Sequence, residues 1–293
     1  MSKSLFITAK SYRMGRRVFG TGRWWLRYDP GVTMNREAHT KRSAGKRSQR
    51  FWEVDAARGV AILMMVVYHL TYDLDTFGGY GISSTSGFWA YFADATAFSF
   101  LFLVGVSLAI SHAKARARRP EGSLFVKYLM RGLVVLGWGL VLTAVSLVLG
   151  MGVIAFGILH LIGVSIILAY PLLNLRLPNL VLGLAVVAVG IYIQTLDLVS
   201  GSPWLLPFGV VPEGLLMPDY RPLLPWFGII LIGLFVGNVV YGSGRAPFGR
   251  GAGPRLARPL GVLGRWSLVI YLVHQPLLIA MLAALGIIRI GSF

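Results

Sequence analysis

The sequence predicts an all-α integral membrane protein, a bundle of about seven transmembrane helices with a cytoplasmic N-terminus. Three observations predict it. Charged residues make up 13% of the 293 residues, where an average soluble domain has roughly 25%. Exchanging the 12 Tyr for the 36 Gly raises the apolar share from 56% to about 64%, where soluble domains lie near ~45–50%. Apolar stretches long enough to cross a ~30 Å hydrocarbon layer recur along the chain. Too little polar surface exists to cover a water-soluble monomer. Cysteine is absent, which excludes disulfides, thiolate catalysis and Cys-based metal sites.

The first element is a basic tail. Residues 1–50 carry thirteen Lys/Arg against Asp29 and Glu37, a net +11, leaving +6 of the total +17 for residues 51–293. A basic run before an apolar helix reads as a cytoplasmic anchor facing anionic lipid, each cation contributing about 1 kcal/mol near the surface. Nucleic-acid binding is the rival reading of such a run and is set aside, so no nucleic acid is expected. Arg16-Arg17 resembles a twin-Arg signal, but no apolar stretch follows closely. Met34 is a candidate alternative start.

Seven spans follow, at roughly 56–74, 88–111, 126–149, 152–173, 178–197, 222–241 and 265–288. No internal repeat suggests the inverted halves of a transporter. Lys and Arg in short loops set orientation. The 112–125 connection carries Lys114, Arg116, Arg118 and Arg119, the 174–177 turn Arg176, and the 242–264 loop Arg245, Arg250, Arg255 and Arg258. The alternate loops are poor in cations: none in 75–87, and only Arg221 in 198–221. Seven alternating spans fit, with the tail inside and the C-terminus outside. The Pro-, Gly- and Trp-rich 198–221 segment is expected to lie at the outer interface.

Ionisable groups within spans are costly and mark functional candidates. The first span carries Asp55, Arg58, His69 and Asp73. At 100° per residue these four share one face, with His69 about 16 Å along the axis from Arg58. The stripe is expected to line a passage. His69 with Asp73 one turn on has the form of a base oriented by a carboxylate; a solvated helix end is the alternative. Asp55 and Arg58 can equally be a capping pair at the border. In the fourth span Gly157 and Gly163 flank His160, either a buried strut or a substrate contact. In the seventh, Tyr271, His274 and Gln275 precede Pro276, which frees the carbonyl of Leu272; the set lines a polar kink or glues helices. Asp94 in the second span needs a cation or a hydroxyl. Asp219 and Arg221 precede the sixth span, as a binding pair or a surface ion pair worth little. The five His residues (39, 69, 112, 160 and 274) include no pair at i,i+4, and HExxH, Walker and GxSxG motifs are absent. No metal is expected.

These residues fall into motifs. Asp55-x-x-Arg58-Gly59 opens the first helix, Phe156 to His160 is followed by Gly163-Val164, Asp219-Tyr220 by Pro222 to Gly228, and Tyr271 to Pro276 closes the set. Four such motifs in this order, over about residues 51–285, resemble the prokaryotic branch of transmembrane acyltransferases similar to the catalytic domain of heparan-alpha-glucosaminide N-acetyltransferase. More distantly, they resemble the membrane acyltransferases that O-acetylate cell-surface glycans. The resemblance implies a helical bundle that takes an acyl group from cytoplasmic acyl-CoA and passes it to a sugar hydroxyl or amine on the far side, with a His as base or transient acyl carrier. In the lysosomal enzyme that His lies in the first non-cytosolic loop. Here the 75–87 loop has no His, and Ser83, Ser84, Thr85 and Ser86 occupy it. The glycan-modifying relatives carry a His in the first helix, which His69 matches.

The expectation is therefore a multi-pass acyltransferase of the plasma membrane, residues 51–293, with the tail as a separate unit. His69 and Asp73 are assigned to catalysis. Asp55, Arg58, His160 and His274 are assigned to the donor, with His160, His274 and Asp94 lining the passage; Asp94, Asp219 and Arg221 are assigned to the acceptor. Acyl-CoA is a co-substrate, no cofactor is bound permanently, and the partners are a glycan or other small acceptor, the lipid bilayer and a second copy in a homodimer. A proton-coupled transporter using the same stripe is the alternative, and a non-catalytic membrane scaffold is a third class.

Overall fold

A computed structural model describes residues 51–148, 152–196, 198, 202–212, 217, 219–242, 247–249 and 253–288. The basic tail, Met34, His39, Arg245 and Arg250 lie outside the described residues. Among those described there are eight α-helices and no strand: α1 Trp52–Thr76, α2 Gly87–Arg118, α3 Phe125–Val148, α4 Ile158–Leu168, α5 Leu177–Thr195, α6 Leu223–Val240, α7 Ala257–Arg265 and α8 Ser267–Ala284. Six of them (α1, α2, α3, α5, α6 and α8) are long and apolar enough to cross a membrane.

Lipid tails are as apolar as Leu, so helices in a membrane associate through close packing rather than through the hydrophobic effect. The sequence supplies small residues where backbones meet. A Cβ on Gly105 of α2 would strike the carbonyl of Ile230 on α6, and one on Gly233 of α6 would strike that of Phe102. Gly264 of α7 meets the carbonyl of Asp55, while Gly59 of α1 meets Leu260. Around these contacts Leu101, Leu108, Leu161, Ile230, Leu231 and Leu234 are fully buried. The outer faces of α3 and α5 expose Val126, Leu140, Val181 and Leu184, as lipid-facing surfaces do.

The expected fourth span is not one helix. Residues 152–157 run without helix, and α4 has only 11 residues before a 3₁₀ turn at Tyr170–Leu172. Exposed backbone groups cannot be left in hydrocarbon, and three donors satisfy them here. The Ser146 hydroxyl donates to the carbonyl of Gly152, and the Thr143 hydroxyl to that of Ile154 at 2.6 Å. The amide of Arg221 donates to the carbonyl of Phe156 at 3.2 Å, beside a bridge between Gly157 and Tyr220. Glycines at 152 and 157 and hydroxyls on the end of α3 thus make the break affordable. Among the described residues six helices are long and apolar enough to cross, one fewer than expected, and the fourth segment holds only the short α4.

Contacts group the described connections at two ends of the bundle. Arg221 ion-pairs with Asp94 at 3.2 Å, tying the 198–221 segment to the start of α2. At the other end His112 meets Asn174 at 2.8 Å, and Asn238 donates to the carbonyls of Leu173 and Leu175. In the 198–221 segment a 3₁₀ helix, Pro203–Phe208, exposes Trp204, and the Tyr220 hydroxyl donates to the Leu206 carbonyl at 2.6 Å.

Candidate active site

The α1 stripe forms two stations. At the first, the Arg58 guanidinium donates to Asp55 at 3.0 Å and, through its other terminal nitrogen, to the Ser107 hydroxyl of α2 at 2.8 Å. At the second, α1 meets α8. The rings of His69 and His274 stand edge to face, with centroids 4.7 Å apart. The Gln275 side-chain amide donates to Asp73 Oδ1 at 2.6 Å. The packing of α8 against α1 aligns these residues, and Pro276 leaves the carbonyl of Leu272 without its helical donor beside them.

The hydrogen bonds fix the imidazole tautomers. A carbonyl only accepts, so a ring nitrogen bonded to one carries the proton. His69 Nδ1 lies 2.9 Å from the carbonyl of Met65, and His274 Nδ1 lies 2.8 Å from that of Tyr271. In the neutral rings both Nε2 atoms therefore hold the basic lone pair. His160 is the reverse. The amide of Gly157 donates to its Nδ1 at 3.2 Å, so Nε2 carries the proton. This is half of a capping box: the third residue of α4 reaches back to the amide of its N-cap. The ring of His160 lies against Gly139 of α3.

The expected pairing of His69 with Asp73 is corrected. Asp73 is fully buried and bonds Gln275 across the helix interface, while His69 is oriented by its own helix through Met65. The carbonyl four residues back holds the His69 ring, and the Gln275 amide holds the carboxylate. The expected pairing of Asp219 with Arg221 is corrected too. Arg221 takes Asp94, the cation that Asp94 needed, and stacks over Trp226 at 5.1 Å. Asp219 instead accepts from the Tyr271 hydroxyl at 2.7 Å and from the amide of Ile158 at 3.4 Å. It adopts a left-handed φ of 57°, which Asp tolerates better than most residues. Burial raises its carboxyl above the ordinary carboxylate range, opposed by the Tyr271 hydroxyl and by Arg221. Burial also pushes the Tyr220 hydroxyl up to about 12.

One connected group results: His69, His274, Tyr271, Asp219 and the N-terminus of α4 with His160, with the Asp73–Gln275 pair one turn along. Buried polar groups almost always find partners. Here Nε2 of His274, Nε2 of His160, Oδ2 of Asp73 and Oε1 of Gln275 are buried without a hydrogen-bond partner among the described residues. Asp55 and Arg58 stand apart, at the opposite end. Among the described residues no cluster of three or more metal-ligating side chains occurs. The 75–87 loop closes on Asp75, which accepts from the amides of Ile82, Ser83 and Ser84.

Gln275 and Tyr271 gain partners that the sequence did not assign. Asp73 and Gln275 are 202 residues apart, and no spacing encodes such a pair. Thr143 and Ser146 are functional in holding the break, and hydroxyls at i,i+3 closing an apolar helix are the sequence signal for them.

Apolar helices enclosing a centre of imidazoles and carboxyl groups define a multi-pass membrane protein with an active-site-like core. The chain belongs to the family described as heparan-alpha-glucosaminide N-acetyltransferase, catalytic, whose model matches residues 50–276. That membership and the six apolar helices make it a membrane transferase. No curated protein and no solved structure matches the chain.

Proposed function

We propose that the chain moves an acetyl or other acyl group from cytoplasmic acyl-CoA to a sugar hydroxyl or amine on the opposite side of the plasma membrane. The observation that carries this reading is the His69–His274 pair, two imidazoles whose basic nitrogens are set by backbone carbonyls. Family membership supports the acetyl transfer and the acyl-CoA donor.

His69 Nε2 takes the proton from the acceptor hydroxyl or amine as that atom attacks the thioester carbonyl. The carbon–sulfur bond breaks, and the departing thiolate receives the proton from the imidazolium. His274, packed edge to face against His69, helps hold the reacting groups. His160, with its proton on Nε2, has the tautomer needed to donate to the carbonyl oxygen as charge develops there. Asp73 and Gln275 lock α8 to α1 and so set the distance between the two imidazoles.

Arg58, held by Asp55 and Ser107 at the basic end, contacts the donor phosphates; a guanidinium suits such oxygens. It lies about 16 Å along α1 from His69, so an extended donor joins the two stations. Asp94, Arg221 and Asp219 line the acceptor side.

The test is direct. Purified protein in detergent is incubated with labelled acetyl-CoA and a panel of amino sugars and oligosaccharides. Transfer or thioester hydrolysis is expected from the native chain and not from a folded His69→Ala variant. Solute flux in proteoliposomes without acetyl-CoA consumption would instead establish the transporter.

A further inference from the structure

Two tyrosines near the imidazoles have committed hydroxyls: Tyr271 donates to Asp219 at 2.7 Å, and Tyr220 donates to the Leu206 carbonyl at 2.6 Å. Tyr68, the residue before His69 on α1, differs. Its hydroxyl makes no hydrogen bond among the described residues. Its ring is half-buried and stands edge to face with the His69 ring, centroids 5.5 Å apart and planes at 81°. His69 thus touches two rings, His274 at 4.7 Å and Tyr68 at 5.5 Å. The ionised groups that act on the Tyr68 hydroxyl are Arg221, Asp94 and Asp219, Arg221 most strongly, and Arg221 also acts on the His69 ring. Tyr68 therefore joins the base to the Arg221–Asp94 pair: its ring touches the one, and its hydroxyl lies in the field of the other.

A phenol can both donate and accept a hydrogen bond, and its ring offers an apolar face beside that polar tip. Arg221 adds donors and Asp94 adds acceptors on the same side. Such a surround suits an acceptor that carries further hydroxyls on the carbons next to its reacting atom, as a sugar ring does and a simple amine or alcohol does not. We propose that Tyr68 determines acceptor specificity: its hydroxyl hydrogen-bonds a sugar hydroxyl neighbouring the atom that His69 deprotonates. The inference rests on the acyl-transfer reading above and adds to it a residue that selects the acceptor. Tyr68 binds and orients, and no proton of the reaction passes through it. A site built to hydrogen-bond a substrate hydroxyl discriminates against the analogue that lacks it.

The experiment compares the native chain with Tyr68→Phe, which keeps the ring and its contact with His69 and deletes only the hydroxyl. Thermal melting in detergent checks the fold. Labelled acetyl-CoA is the donor. The acceptor probes are glucosamine and cyclohexylamine, the second a six-membered ring with an amine and no hydroxyl. In Tyr68→Phe the KM for glucosamine is expected to rise about tenfold, with kcat within about twofold of native. The KM for acetyl-CoA, and the KM or inhibition constant of cyclohexylamine, are expected to stay at their native values. An unchanged KM for glucosamine, or equal losses with both amines, overturns the role of Tyr68 and leaves the acyltransferase standing. Hydrolysis of acetyl-CoA by the native chain without transfer to glucosamine does the same. A native chain that consumes no acetyl-CoA overturns both.

Discussion

Helix α1 and the fourth pass are both apolar, and each brings a histidine to the polar centre. One is a continuous helix of 25 residues; the other is broken, with a helix of only 11. In α1 the backbone satisfies itself, so the side chain of His69 is free to act and needs only its own Met65 carbonyl for orientation. In the fourth pass the backbone depends on Thr143, Ser146 and Arg221, and His160 is spent partly on capping the Gly157 amide. The two histidines differ in exposure as well, His160 being buried and His69 only half-buried: what the neighbouring backbone demands of a side chain decides whether it is free for chemistry.

The largest effect should separate the two histidines. His69→Ala is expected to lower turnover by about 10²–10⁴, the usual contribution of a positioned base, with the melting temperature nearly unchanged. His160→Ala should also cost about 0.5–2 kcal/mol of stability, as loss of a helix cap does. Steady-state kinetics and thermal melts on the two variants read both quantities; equal melting shifts would erase the distinction.

Next is Gly157→Ala. A Cβ there would sit 2.8 Å from a methyl group of Ile154 and 3.2 Å from Asp219 Oδ2. Overpacking of this kind costs about 1–3 kcal/mol, and the melt should fall accordingly.

Gln275→Leu removes the hydrogen-bond partner of a fully buried carboxyl, for about 1–3 kcal/mol. Because Asp73–Gln275 sets the spacing of α1 and α8, kcat is expected to fall more than KM changes. A pure change in KM would place the pair in substrate binding instead.

The smallest effect is Thr143→Val, which deletes the hydroxyl donating to Ile154. Hydrogen bonds between membrane segments average about 0.6 kcal/mol, so only a slight loss of stability is expected, and no loss at all would mean that water replaces the donor.

Much of the fold was legible. The apolar runs contain the six long helices, one fewer than the seven spans expected. The fourth pass was misread because hydropathy reports what a segment is buried in, not whether its backbone stays helical; Gly152, Gly157 and the hydroxyls of α3 carried that information. At the site, periodicity put Asp55, Arg58, His69 and Asp73 on one face, which is a property of a single helix. It could not say that Asp73 turns to Gln275, that Asp219 turns to Tyr271, or that Arg221 turns to Asp94. Those partners are set by packing between helices far apart in sequence.

The central claim is that the lone pair on His69 Nε2 moves the proton during acyl transfer. The most direct measurement is the single-turnover rate of labelled acetyl release from acetyl-CoA by the purified His69→Ala protein, with and without added imidazole. A rate at least a hundredfold below that of the native chain is expected, partly restored by imidazole. A native rate in the variant without imidazole would contradict it.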